Sequence, residues 1–174
     1  MVKKECNKED WKYHIQLVRH YSLKLAKILN ADLEIVEISA LLHDIGRIKF
    51  GPENHEITGA NESVKILEKL NYSTEKIDKV KHCVEAHRGD GSITPKTLEA
   101  EIVNNADAMA HFNTVPLLLH FFGKRMSFEE NLETTYQKIE RGWNKKLTLP
   151  QAKELVKEQY NAIKIVLESN RKLL

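Results

Sequence analysis

The sequence is poor in residues that punctuate a chain. Its 174 residues include seven glycines and four prolines, about half the usual combined share. That leaves little room for the tight turns that many short strands need, so helices are the expected building block. Cysteine is scarcer. Cys6 and Cys83 stand far apart with no Cys-x-x-Cys spacing, which excludes a disulfide framework and fits a reducing, cytoplasmic setting. An excess of one charge is also lacking, since 27 basic side chains face 25 acidic ones for a formal net charge of +2. Neither nucleic acid nor a membrane surface is therefore expected as the main partner. Long apolar runs are missing too. The longest, Val115 to Phe122, is interrupted by Pro116 and His120 and is too short to span a bilayer. No apolar segment follows Met1-Val2-Lys3-Lys4-Glu5, so no secretion signal is expected.

What the chain does have is a 41% hydrophobic share, enough for one sizeable core. Its length fits one domain spanning residues 1–174. It also carries eight histidines, and histidine is the commonest metal ligand and a near-neutral acid or base.

The apolar spacing predicts an all-α globule of seven or eight helices. Residues 9–29 read as one amphipathic helix with Leu17, Val18, Leu25, Ile28 and Leu29 inward. After Asn30-Ala31, Asp32 caps a strongly apolar helix over 33–45, with Gly46 as its terminating residue. Residues 46–54 read as a loop. A helix follows over 55–70, then one capped by Ser73 or Thr74 and reaching His87. Arg88 to Ser92 form a turn. Thr94-Pro95 has the look of a cap and first helical position for a helix reaching Phe112. A short apolar helix covers 115–122. Ser127-x-x-Glu130 and Thr148-x-x-Gln151 have the capping-box pattern and open the last two helices.

Helix faces sort the histidines. His14 shares the stripe of Leu17, Val18, Tyr21 and Leu25, whereas His20 lies on the lysine-bearing side. His87 continues the stripe of Ile77, Val80 and Val84, and His82 lies nearly opposite. His43-Asp44 ends an apolar helix, and burying both without partners would cost several kcal/mol. Asp107 stands among alanines and shares a face with Val103 and His111. Such an inward carboxylate needs a cation or hydrogen-bond donors. His55 opens a helix whose Gly59-Ala60 pair allows a close neighbour.

His14, His43, Asp44 and Asp107 thus offer nitrogen and carboxylate ligands from three helices. That set suits a borderline divalent ion such as Fe, Mn, Co, Ni or Zn. His55 and His87 offer places for a second ion, with Asp44 between the two. Each residue alone also reads as a hydrogen-bonded core side chain. His20, His82 and His120 read as ordinary surface residues, and Cys83 as a small buried hydrophobe.

His14, Ala40-Leu41-Leu42-His43-Asp44-Ile45-Gly46 and Ala106-Asp107 together resemble the HD superfamily of metal-dependent phosphohydrolases. His55-Glu56-Ile57-Thr58-Gly59-Ala60 and Glu85-Ala86-His87-Arg88 extend the likeness, which covers residues of about 10 to 112. It carries nothing definite for residues 113–174. The resemblance implies one metal held by His14, His43, Asp44 and Asp107, and a second held by His55 and His87, with His82 as a fallback ligand. It implies hydrolysis of a phosphoester or phosphoanhydride, of a nucleotide above all, by metal-activated water. Catalytic roles fall to His43, to Asp44 as bridge or base, and to His111 as proton donor or hydrogen-bond partner. Arg47, Lys49 and Arg88 are candidates for substrate phosphates. An HD-fold di-iron oxygenase and a non-catalytic nucleotide-binding module are the rival readings. The Leu117–Phe122 segment fits either a homodimer contact or the core.

Overall fold

The computed structural model describes residues 2–88 and 93–171. Among them the architecture is all-α, without strands. Two short helical pieces, Val2–Glu5 and Lys8–Asp10, precede a π-helical turn at Trp11–Ile15. The longer helices are α1 (Gln16–Leu29), α2 (Leu33–Leu42), α3 (Ile45–Phe50), α4 (His55–Lys69) and α5 (Thr74–Ala86). They continue with α6 (Leu98–Asn113), α7 (Val115–Phe122), α8 (Phe128–Arg141), a second π-helical turn at Gly142–Lys146, and α9 (Pro150–Arg171). None of the described helices is long and apolar enough to cross a membrane.

Most helix ends follow local chemistry. Asp32 accepts the amide protons of Glu34 and Ile35 at 3.0 and 3.1 Å, while Asn30 leaves α1 in the left-handed region at φ 55°. Ser73 caps α5. Ser127 and Glu130 satisfy each other's backbone amides at the start of α8.

Four expectations fail, each for a visible reason. Gly46 does not end a helix and 46–54 is not a plain loop. The chain breaks earlier, at His43-Asp44, where Asp44 has φ −101° and ψ 10°, and it resumes as α3. Thr94-Pro95 does not open α6. Thr97 does, by accepting the Ala100 amide at 3.2 Å, because the Lys96 amide is already committed to His82 Nε2 at 2.9 Å. The Thr148 hydroxyl is diverted from capping, since it donates to Glu101 Oε1 at 2.6 Å and accepts from Asn105 Nδ2 at 2.9 Å. Ile28 is half exposed, at 50%, since among the described residues Leu25 and Leu29 meet the apolar cluster at that end of α1 instead. From Gly89 onward, the turn expected at Arg88 to Ser92 lies outside the described residues.

α6 is the axis of the fold. Ala100, Ile102, Val103, Ala106, Ala108, Met109, Ala110 and Phe112 along it are all buried. Its small side chains let α1, α2, α5 and α9 pack against it. One apolar cluster joins α1, α6 and α9 through Val18, Leu25, Met109, Val156 and Tyr160. A second joins α2 to α5 through Ile35, Ile45, Leu67, Val80 and Val84. Each such fully buried side chain contributes about 1.5–3 kcal/mol. Burial pushes the Cys83 thiol up to about 12, which leaves it an inert packing group.

Candidate metal centre

The junction of α2 and α3 is the structural key to the site. Gly46 sits where α3 crosses α4. A Cβ there would lie 2.5 Å from the Gly59 amide nitrogen, 2.7 Å from Thr58 Oγ1, and closer still to the His55 carbonyl. Gly59 faces it from α4, with the Gly46 nitrogen 3.1 Å from where its own Cβ would be. The close approach foreseen for Gly59-Ala60 is this contact. It brings His55, at the start of α4, to the side of Asp44.

His14 arrives by a different device. It lies in the π-helical turn before α1, closed by the Gln16 amide on the Trp11 carbonyl. An extra residue in a turn re-aims the side chains it carries. His43 lies in the break after α2, His87 just past α5, and Asp107 and His111 one turn apart on α6.

These side chains converge. His14 Nε2 is 3.1 Å from His43 Nε2, 3.2 Å from Asp44 Oδ2 and 3.4 Å from Asp107 Oδ1. His55 Nε2 and His87 Nε2 each lie 3.7 Å from the other Asp44 oxygen, Oδ1. Two groups of three ligating atoms result, His14–His43–Asp107 and Asp44–His55–His87, each within 4.8 Å. Asp44 turns one oxygen toward each group.

Tautomers follow from the backbone. His43, His55 and His87 each place Nδ1 on the carbonyl three residues earlier, Ala40, Pro52 and Val84, at 2.8, 3.0 and 2.6 Å. An Nδ1–H donating there leaves Nε2 with a lone pair aimed into the centre. The interior thus gathers ring nitrogens and carboxylate oxygens at close range, an arrangement that suits a cation. Mixed imidazole and carboxylate donors suit borderline divalent transition metals. The residues present therefore fit the ion that the sequence suggested.

Electrostatics agree. Burial holds the His43 imidazole down at about 4, and His55 and His111 are also lowered, chiefly by burial. All three are neutral at pH 7, the form that ligates. Burial works to raise the two carboxyls, but it is outweighed. The imidazoles of His43, His14 and His87 hold Asp44 well below its ordinary value. For Asp107 the Lys146 ammonium and nearby imidazoles do the same.

The remaining expected residues fare differently. His111 stacks on His14 with ring centroids 5.2 Å apart, and its Nε2 is 3.7 Å from Asp107 Oδ1. Held neutral, it suits hydrogen bonding better than donation as an imidazolium. Arg47 lines the cavity above the centre, but its guanidinium rests on Asp44 Oδ2 at 2.8 Å. Arg88 also lines it, with its guanidinium on buried Glu56 at 3.1 and 3.2 Å. Lys49 pairs with Glu62 at 2.5 Å and is not among the residues that line this cavity. His82 is partly exposed, accepts the Lys96 amide and belongs to neither ligand group. His20 and His120 are exposed.

The rest of the wall comes from the variable C-terminal helices, where the sequence singled out no individual residue. The cavity of about 510 Å³ is closed by Leu117, Leu118, Phe121 and Phe122 of α7, and by Arg125, Lys138 and Arg141 on and beside α8. Lys146, on the second π-helical turn, reaches Asp107 Oδ2 at 2.6 Å. Nothing in a lysine-rich C-terminal sequence marks these particular cations. The apolar run at 117–122 was visible, but its two open readings did not include a cavity wall.

A family model described as HD domain matches residues 12–111. Ribonuclease Y of Syntrophomonas wolfei is 31% identical over 130 residues, covering 74% of this chain and 24% of that protein. A tRNA (cytidine(56)-2'-O)-methyltransferase of Picrophilus torridus is 30% identical over 116 residues, covering 59% of this chain and 32% of that one. The chain thus spans about a quarter to a third of these relatives. In fold it is similar to Bacillus subtilis YpgQ in complex with ADP, with a TM-score of 0.74 and 21% identity over 99% of this chain and 90% of that one. A predicted HD superfamily hydrolase from an uncultured Thermotogales bacterium gives 0.64 and 20%, over 99% and 87%.

Proposed function

This chain belongs to the HD domain family, and from that premise we propose that it is a metal-dependent phosphohydrolase acting on a phosphoester or phosphoanhydride of a nucleotide. The observation that carries the reading is Asp44 set between two ligand groups on the wall of a cavity whose other walls are cationic and apolar. His14, His43 and Asp107 would hold one divalent ion, and Asp44, His55 and His87 a second. A divalent ion bound there would lower the pKa of water toward about 7 and stabilise charge on a phosphoryl oxygen.

The chain's own groups supply the rest. Lys138 is half-buried in the wall and has no ion-pair partner among the described residues, and burial lowers its pKa. It regains a full counter-charge when a phosphate enters. Arg125 and Arg141 extend that cationic side. The α7 wall offers a flat apolar surface for a base. Arg47 and Arg88 would reach substrate by exchanging their present carboxylates for phosphate. His111 orients a leaving oxygen or Asp107 by hydrogen bonding. The ADP in the YpgQ structure supports a nucleotide over other phosphorylated molecules.

The test is turnover of a nucleotide panel and a short RNA, with Mn, Co, Ni, Mg and Zn added separately, on wild type and Asp44→Ala. Phosphate or pyrophosphate release that is lost in Asp44→Ala is expected. RNA cleavage without nucleotide turnover would replace the substrate. Metal-dependent oxygen uptake without phosphate release would replace the reaction. Binding with no turnover in any metal would leave a regulatory module.

A further inference from the structure

Lys146 places a basic side chain where a lysine is least expected. It is 6% exposed and lies beside a centre that itself suits a cation. Its Nζ donates to Asp107 Oδ2 at 2.6 Å and to the His87 carbonyl at 2.9 Å. Those acceptors belong to different halves of the site. Asp107 faces His14, His43 and His111 through its other oxygen, at 3.4, 4.0 and 3.7 Å. His87 presents its ring to Asp44 Oδ1 at 3.7 Å. Lys146 therefore divides the Asp107 carboxylate, fixing one oxygen and leaving the other to the His14–His43 group.

The turn that delivers Lys146 is anchored independently of the site. The Leu147 amide closes the π-helical turn on the Gly142 carbonyl at 2.9 Å. Buried Gly142 lies against the Phe112 ring. Asn105, two residues before Asp107, accepts the Leu149 amide at 3.1 Å and donates to Thr148 at 2.9 Å. The same stretch of α6 thus carries the ligand and grips the segment that restrains it. Asn104 adds a second donor to the end of α5, reaching the Ala86 carbonyl at 2.9 Å.

Resting on the metal-centre reading above, we propose that Lys146 is a positioning residue of that centre: it presents Asp107 as a one-oxygen ligand and ties the two ligand groups together. The C-terminal segment thereby completes a site whose ligands all lie before it. Charge alone predicts the opposite effect, because an ammonium on Asp107 repels an incoming divalent ion. The sign of the change on removing Lys146 therefore separates the two ideas.

The experiment is titration of Mn2+ into wild type, Lys146→Met and Lys146→Arg, repeated in a His55→Ala background that leaves only the His14–His43–Asp107 group intact. Far-UV circular dichroism confirms folding in each. Mn2+ affinity is expected to fall about 10- to 100-fold in Lys146→Met, to fall less in Lys146→Arg, and to keep that order without His55. A folded Lys146→Met that binds Mn2+ as well as wild type or more tightly overturns the proposal and leaves the metal reading standing. A wild-type chain that binds no Mn2+ overturns both. Should Lys146→Met not fold, Lys146→Leu carries the same comparison, since it too removes both the donor and the charge.

Discussion

Gly46→Ala is the sharpest test of how this fold makes its site. The substitution adds one methyl group to α3. That methyl would meet two backbone atoms of α4, the His55 carbonyl oxygen and the Gly59 nitrogen, together with Thr58 Oγ1 at 2.7 Å. Backbone cannot rotate away as a side chain can, so α3 and α4 must separate. Overpacking of this kind costs about 1–3 kcal/mol, and contact with backbone puts it at the upper end. Alanine in place of glycine within a helix returns about 1 kcal/mol. The net loss is therefore about 2 kcal/mol. For a chain of this size that lowers the melting temperature by roughly 4–8 °C. Gly59→Ala is the internal control. Its Cβ meets the Gly46 nitrogen at 3.1 Å and Val84 Cγ1 at 3.3 Å, a milder crowding of about 1 kcal/mol that the helix-propensity gain cancels. Thermal melts of the two metal-free variants read the difference directly. The separation also moves His55 away from Asp44, so Mn2+ binding at the Asp44–His55–His87 group should weaken in Gly46→Ala more than in Gly59→Ala. A Gly46→Ala protein melting within 2 °C of wild type, or one less perturbed than Gly59→Ala, would refute the close-approach argument.

Acid should weaken the metal-free fold before Asp44 or Asp107 titrates. His43 drops from its ordinary 6.5 to about 4, so the folded chain binds fewer protons than the unfolded one between those values; stability is full above pH 6.5 and falls by roughly 3 kcal/mol as pH approaches 4. Asp44 and Asp107, held well below the ordinary value of 3.8, lose their contribution only at lower pH. Urea midpoints measured at pH 7.5 and 4.5 check this, and a flat profile contradicts it. Lys138→Met should leave the urea midpoint unchanged or raise it, since no described ion pair is lost and burial already disfavours the ammonium. It should raise the KM for a nucleotide about tenfold or more with little change in kcat, which steady-state kinetics would separate.

The sequence made the first half of the site readable because its signals are local. Inward position on an amphipathic helix put His14 and His87 inside, and the cost of burying His43-Asp44 demanded partners. Those arguments use a helical period and a desolvation energy, and both act over one or two turns. The same reasoning failed where a residue's fate was set by a distant competitor. Pro95 lost its place as first helical residue because His82, on α5, had already taken the Lys96 amide. Thr148 lost its capping role to Glu101 and Asn105 on α6. Gly46 was read as a helix end from its conformational freedom, whereas its missing Cβ is what the packing of α3 on α4 requires. A glycine carries both meanings, and only the third dimension chooses between them.

Helix periodicity marked one and hid the other of the two residues that π-helical turns bring to the centre. His14 and Lys146 both sit in π-helical turns, at Trp11–Ile15 and Gly142–Lys146. A π-helical turn inserts one residue and shifts the phase of everything after it by about 100°. For His14 the stripe ran onward into α1, so its inward position survived the shift and remained visible. Lys146 ends its turn, so no periodic stripe follows to mark it, and Lys145 beside it is exposed. A wheel drawn through α8 gives no reason to choose between the neighbouring lysines. The choice is made by Asp107, whose buried carboxylate needs a donor for the oxygen that faces away from the imidazoles. Lys146 supplies that donor and leaves the other oxygen, Oδ1, facing His14 and His43. The two π-helical turns thus bracket Asp107, one delivering His14 to its Oδ1 and the other Lys146 to its Oδ2.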